Sequence, residues 1–133
     1  MLKVYPVVFE KDGNGYLIDF PDIQGAFTGI NDNDVAYGMV MAEEVLGMVL
    51  ADMIENGENL PEPTPSEKIA IPDGGLVTLI KVDLQDYFKD ITPVKKTLTI
   101  PTWANNLGIK EGINFSQLLT TAIAKTATMR DYE

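Results

Sequence analysis

The sequence predicts an α+β fold in two parts. An N-terminal β-β-β-α-β domain spans residues 1–88, a linker covers 89–93, and a C-terminal β-α-α module spans 94–133. Three observations carry this reading. Short β-rich runs separated by turn residues fill the first thirty positions. One long segment then repeats apolar residues at steps of three and four. Beyond Phe88 a strand-period run precedes two helix-period runs, and the charge balance changes sign.

The first two runs, Val4–Phe9 and Tyr16–Phe20, flank "DGNG", where Asp and Gly supply the positive φ values of a tight turn. No helix follows Gly13 and Gly15, so the pair is a turn and not a phosphate loop. Pro21 and Gly25 mark a loop, and Ala26–Ile30 forms a third strand. "NDNDVAYGMVMAEEVLGMVLADMIENG" predicts a long helix. Val35, Met39, Ala42, Leu46, Val49 and Met53 make its core stripe. Asp32 suits the N-cap, Asp34 the positive end of the dipole, and Gly57 the stop. Glu43 and Glu44 lie off the stripe. "ENLPEPTPSEK" is a stiff loop. Leu76–Val82 is a fourth strand, followed by a short helix at Leu84–Phe88. The sum is a sheet with one long helix against it.

After "KDITP" comes "VKKTLTIP". Its alternation sets Lys95, Thr97 and Thr99 on one side and Val94, Leu98 and Ile100 on the other. Pro101 opens a short helix, with Trp103 and Leu107 turned inward four residues apart and Gly112 as its end. Gly108 costs about 1 kcal/mol relative to Ala, so this helix depends on packing. Asn114 and Gln117 have capping-box spacing at the start of a second helix. Its apolar face is Phe115, Leu118, Leu119, Ala122, Ile123 and Ala127.

Composition narrows the chemistry. The chain has no Cys and no His, which removes disulfides, thiol nucleophiles, the usual zinc ligands and the commonest general base. No cofactor and no metal is implied. The longest apolar-rich stretch contains Glu43, Glu44 and Asp52, and Glu10, Lys11 and Asp12 interrupt the N-terminus, so neither a membrane span nor a signal peptide is expected. Residues 1–90 hold five Lys against 17 Asp and Glu, a net of −12. Residues 91–133 hold four Lys and one Arg against three acids, a net of +2. Two surfaces with two kinds of partner follow from that split, although an acidic domain with a near-neutral tail fits the same numbers.

A lone strand with two helices cannot satisfy its edges or bury so much apolar face. Two copies pairing antiparallel would make a two-stranded ribbon over interlocked helices. Leu98, Ile100, Trp103, Leu107, Leu118, Leu119, Ala122 and Ile123 would then form the dimer core. Lys95, Thr97 and Thr99 from both copies would face outward, on a ribbon that fits the DNA major groove. Lys95 and Lys96 can reach phosphate or guanine. The amides at Asn114, Phe115 and Ser116 open the second helix toward a phosphate. The competing reading is an ordinary exposed edge strand, since Thr favours strands and Lys blunts edges.

This arrangement is a ribbon-helix-helix module, and here the sequence resembles a known family. "KKTLTIPTWANNLGIKEGINFSQLL" looks like the C-terminal module of HicB-type antitoxins. "YPVVFEKDGNGYLIDFPDIQGAFTGINDND", its following helix and its Pro-rich loop look like that family's N-terminal domain. The chain departs from the family pattern at Ala104 after the helix Trp, and at Tyr37, Gly38 and Met39 on a helix face that is often Glu-rich.

The resemblance implies a cytoplasmic, non-enzymatic antitoxin of bacterial, archaeal or phage origin, associated with the nucleoid when bound to DNA. It implies a partial RNase H-like N-terminal fold that masks HicA, a small basic ribonuclease toxin that cleaves mRNA. It also implies operator double-stranded DNA as the second partner, so that the module represses its own operon. The chain is expected to be at least a homodimer, with tetramers left open. Candidate toxin contacts are Asp19, Asp22, Asp32, Asp34, Glu43 and Glu44, with Phe20, Pro21 and Ile23 as apolar contacts. For each carboxylate, plain solubility is the competing explanation. The alternative function is a standalone ribbon-helix-helix repressor whose acidic domain binds another protein or ligand. A nuclease would need several carboxylates converging on Mg²⁺, and spacing assigns no such set.

Overall fold

A computed structural model describes residues 1–129 of the chain. It divides into two units, Met1–Phe88 and a second from Lys89 onward. In the first, β1 (Leu2–Asp12), β2 (Gly15–Asp19), β3 (Phe27–Ile30) and β4 (Leu76–Asp83) form one antiparallel sheet of order β3-β2-β1-β4. The β1–β2 turn is two residues long, because Asp12 pairs with Gly15. Gly13 alone carries the positive φ, +57°, and Asp12 stays in its strand. Gly15 has a different task. A Cβ there would come within 1.8 Å of the Ile30 carbonyl oxygen, so only glycine lets β3 close against β2.

Alternate residues of the sheet, Tyr5, Val7 and Phe9 of β1 with Ile18, Ile30, Ile80 and Val82, point into the core. There they meet α1 (Val35–Glu55), which lies over that face. Its buried line runs through Gly38, Ala42, Leu46 and Leu50, with Val35, Val49 and Met53 packed at the margin. Met39, expected on this stripe, is exposed. Gly38 takes its place because a Cβ there would already lie 2.7 Å from the Phe9 ring.

Asp34, not Asp32, caps the helix. Asp34 Oδ1 accepts the Tyr37 N–H at 3.1 Å, while Asp32 Oδ1 accepts the Asp34 N–H at 3.0 Å. A cap must directly precede the first helical residue, and that residue is Val35. The far end closes as expected at Gly57, whose φ is +75°. The Gly57 N–H donates to Ile54 O and the Glu58 N–H to Met53 O, a Schellman pair that satisfies two orphan carbonyls.

The proline-rich return to β4 is tied down at two points. Tyr5 Oη donates to Pro61 O at 2.5 Å, and the Asp22 carboxylate accepts from Thr64 N at 2.9 Å and from Thr64 Oγ1 at 2.5 Å. A 3-10 turn at Ser66–Lys68 interrupts the expected loop, and a second at Leu84–Tyr87 stands where a short helix was predicted. The Tyr87 ring fills the space over Gly47.

The second unit contains α2 (Thr102–Lys110) and α3 (Phe115–Met129). Residues 94–100, predicted as a strand, are assigned to no strand in the single chain. A ladder needs a partner strand, and the described residues of this unit supply none. Pro101 is the N-cap of α2 and not its first residue. Residues 130–133 of the predicted module lie outside the described residues.

Candidate functional site

In the second unit, short-range chemistry fixes how the two helices meet. The α2 end is another Schellman closure. Gly112, at φ +66°, donates its N–H to Ile109 O, and Ile113 N–H donates to Gly108 O. Asn114 Oδ1 then accepts the Gln117 N–H at 3.0 Å and caps α3. The reciprocal half of a capping box is not made. The Gln117 side chain reaches forward to Thr121 Oγ1 at 3.4 Å instead. Gly108 earns its place as well. A Cβ there would stand 2.5 Å from the Phe115 ring, so the missing side chain is what lets α3 pack on α2.

This packing opens an apolar groove of about 630 Å³ between residues 96–100, α2 and the start of α3. Seven of the eight predicted dimer-core residues line it: Leu98, Ile100, Trp103, Leu107, Leu118, Leu119 and Ala122. Ile123 does not, and is itself exposed. Trp103 and Leu107 were expected to point inward, yet Trp103 is 70% and Leu107 49% exposed in the single chain. One β-less strand segment and two helices give them no opposing wall. Exposed apolar surface of this extent makes the groove a candidate interaction site.

The predicted DNA-binding residues divide between the two sides. Lys96, Phe115 and Ser116 line the groove, while Lys95, Thr97 and Thr99 do not. Asn114 serves as the cap. Within this segment the groove lining falls on Lys96, Leu98 and Ile100, every second residue, while Val94, expected on the same side, is not part of it.

The predicted toxin contacts separate more sharply. Phe20 and Ile23 are core residues, 1% and 2% exposed, and cannot meet a partner without unfolding the 20–26 turn. Hydrogen bonds Phe20 N–H to Ala26 O and Ala26 N–H to Ile23 O hold that turn inward. Pro21 is exposed. Asp22 is spent on Thr64, and Asp32 and Asp34 on the start of α1. Asp19 faces out from the sheet beside Val8 and Phe27, its register neighbours, where burial raises its carboxyl above the usual range. Glu43 and Glu44 stand on the solvent side of α1. Since α1 covers the opposite face of the sheet, Asp19 and the two glutamates cannot belong to one patch.

On the outer line of α1 the sequence singled out Tyr37, as a departure from the family pattern, and Glu43 and Glu44, but not Val40 or Met48. Tyr37, Val40 and Met48 lie off the core stripe and are exposed. The available signal was their spacing from the carboxylates of the same helix. Among the described residues, no three His, Cys, Asp or Glu side chains gather into a metal-binding group. No described helix is long and apolar enough to cross a membrane.

A family model for the HicB-like antitoxin of bacterial toxin–antitoxin systems matches residues 5–105, from β1 into α2. The chain belongs to the HicB-like antitoxin family. A chain of a toxin–antitoxin complex from Streptococcus pneumoniae is 32% identical to this antitoxin, with 95% of this chain and 99% of that one covered and a TM-score of 0.62. A chain of the HicA3 and HicB3 toxin–antitoxin complex shares the fold, at 24% identity, 61% and 99% coverage and a TM-score of 0.50. An uncharacterized 14.9 kDa protein from the rep-hol intergenic region of Haemophilus phage HP1 (strain HP1c1) is 32% identical over 84 residues. That match takes in 61% of this antitoxin and 62% of the phage protein, so it covers less than two thirds of that relative.

Proposed function

We propose that this antitoxin neutralises a basic HicA-type ribonuclease toxin through its first unit and represses its own operon through its second. It acts in the cytoplasm by binding and not by catalysis, with the first unit a non-catalytic, partial RNase H-like fold. Two copies dock groove to groove, residues 94–100 of each pair antiparallel, and the resulting ribbon-helix-helix dimer carries Lys95, Thr97 and Thr99 into the major groove of the operator. The observation that carries the reading is the groove. Side chains selected only by strand and helix period line one apolar depression that a single chain leaves open. A second copy burying Trp103, Leu107, Leu118 and Leu119 would remove surface worth about 1.5–3 kcal/mol for each large side chain. The pairing would also give residues 94–100 the ladder they lack.

The acid excess supports the toxin half. An mRNA-cleaving protein must present cations to phosphate, and a partner of opposite charge gains both steering and cover for that surface. One experiment tests the two halves together. The full chain is expressed with a basic HicA-type protein, the complex is isolated, and its binding to a labelled promoter fragment is compared with unrelated DNA at two salt concentrations. Stable co-purification with selective, salt-sensitive promoter binding is the expected result. Selective DNA binding without any basic partner would favour a standalone repressor. A partner complex that binds no promoter would leave the antitoxin without a regulatory role.

A further inference from the structure

The face of α1 turned away from the sheet has a composition the fold does not require. Tyr37, Val40, Glu44, Met48 and Asp52 follow one another at helical steps of three and four. Tyr37, Val40 and Met48 are 52%, 57% and 59% exposed, and none packs against the core cluster. Single exposed apolar residues are ordinary, whereas a row of three large ones along one helix marks a contact surface. The same helix carries Glu43, Glu44, Asp52 and Glu55 and no Lys or Arg. From Asp12 to Glu67 the chain has twelve carboxylates and no cation. Nothing on the helix itself balances this field. Tyr87, whose ring lies on Gly47, registers it: burial first, then Glu43, Glu44 and Asp86, push its hydroxyl above the usual range.

We propose that this outer face of α1 seats the basic toxin, with Tyr37, Val40 and Met48 as apolar anchors and Glu43 and Glu44 facing toxin cations that would otherwise hold RNA phosphate. The inference rests on the antitoxin reading above and gives it an address. The rival surface is the outer face of the sheet, where Leu17, Phe27 and Leu79 are also exposed. That face also carries carboxylates, Glu10 opposite Leu17, Asp19 opposite Val8 and Asp83 opposite Leu2, but Lys81 stands among them opposite Val4, whereas α1 has four carboxylates and no cation.

The test uses the full chain and a HicA-type toxin. Toxin affinity is measured by titration calorimetry for the unaltered chain, for Val40→Lys with Met48→Lys, and for Leu17→Lys with Phe27→Lys. Each pair adds two positive charges, so net charge is matched. The helix-face pair is expected to lose about 100-fold or more in affinity, and the sheet-face pair to stay within about threefold. Equal losses in both pairs would reduce the effect to net charge and overturn the proposal. So would a larger loss in the sheet-face pair, or an unchanged helix-face pair. If the helix-face Lys pair does not fold, judged by far-UV circular dichroism, Val40→Ala with Met48→Ala takes its place, with about tenfold as the expected loss. An unaltered chain that does not bind the toxin at all would instead refute the antitoxin reading, whichever face is considered.

Discussion

Gly38→Ala is the change whose outcome follows most directly from the packing of α1 on the sheet. The added methyl would lie 2.7 Å from the Phe9 ring and 3.2 Å from both the Ile18 and Ile30 Cδ1 atoms. Carbon atoms in contact prefer about 3.5–4.0 Å, so the helix must lift by roughly an ångström or the ring must turn. Phe9 and Ile18 are fully buried, so neither side chain has solvent to move into. Overpacking of this kind costs about 1–3 kcal/mol. Replacing Gly by Ala within a helix returns about 1 kcal/mol of propensity. The net expectation is a loss of about 1 kcal/mol, and at 88 residues for the unit each such increment lowers the melting temperature by about 4–8 °C. Gly38→Val adds two further carbons at the same spot and gains less propensity, so its loss should exceed 3 kcal/mol, about the upper limit for one methyl. The assay is urea and thermal unfolding followed by circular dichroism and by Trp-independent Tyr fluorescence from the first unit. A Gly38→Ala chain as stable as the original, or more stable, would show that the core yields around α1 and would refute the reasoning.

Other outcomes follow from the same contacts. Thr97→Ala with Thr99→Ala should weaken operator selectivity by about 1–3 kcal/mol per lost base contact and leave the dimer intact, read by competition binding and sedimentation. Lys95→Ala should weaken binding to all DNA alike and flatten the salt dependence, which a titration at several salt concentrations would reveal. Leu118→Lys should abolish dimerisation by placing a charge in the groove, while the first unit melts unchanged; a dimer at micromolar concentration would contradict the groove reading. Asp83 is held below the usual carboxylate range, first by the Gln85 N–H and then by the N-terminal ammonium at 3.2 Å. Stability from this lowered pKa is present above the unfolded value and is lost as pH falls through the folded one. Asp83→Asn should therefore lower the melting temperature slightly at neutral pH and make no difference at the acid end.

Period and punctuation alone determined the element order of the first unit and the two helices of the second, while the strand expected at 94–100 is not formed in the single chain. The β-β-β-α-β sequence, the two Gly-closed helix ends and the Asn114 cap are local, because each depends on residues within about five positions. The apolar lining from Leu98 to Ala122 was legible for the same reason, since alternate positions of 98–100 and one face of each helix carry it. Tertiary structure decided the rest. Gly38 displaced Met39 from the buried stripe because a ring from β1 occupies the space, and no neighbour in sequence carries that information. Asp22 became a tie to Thr64, 42 residues away, and Phe20 and Ile23 became core, because the turn they belong to folds under the sheet. Asp19 and Glu44 looked alike in the sequence, as exposed acids in one acidic domain. The sheet between them sets them on opposite faces, and a partner of fixed shape can meet only one.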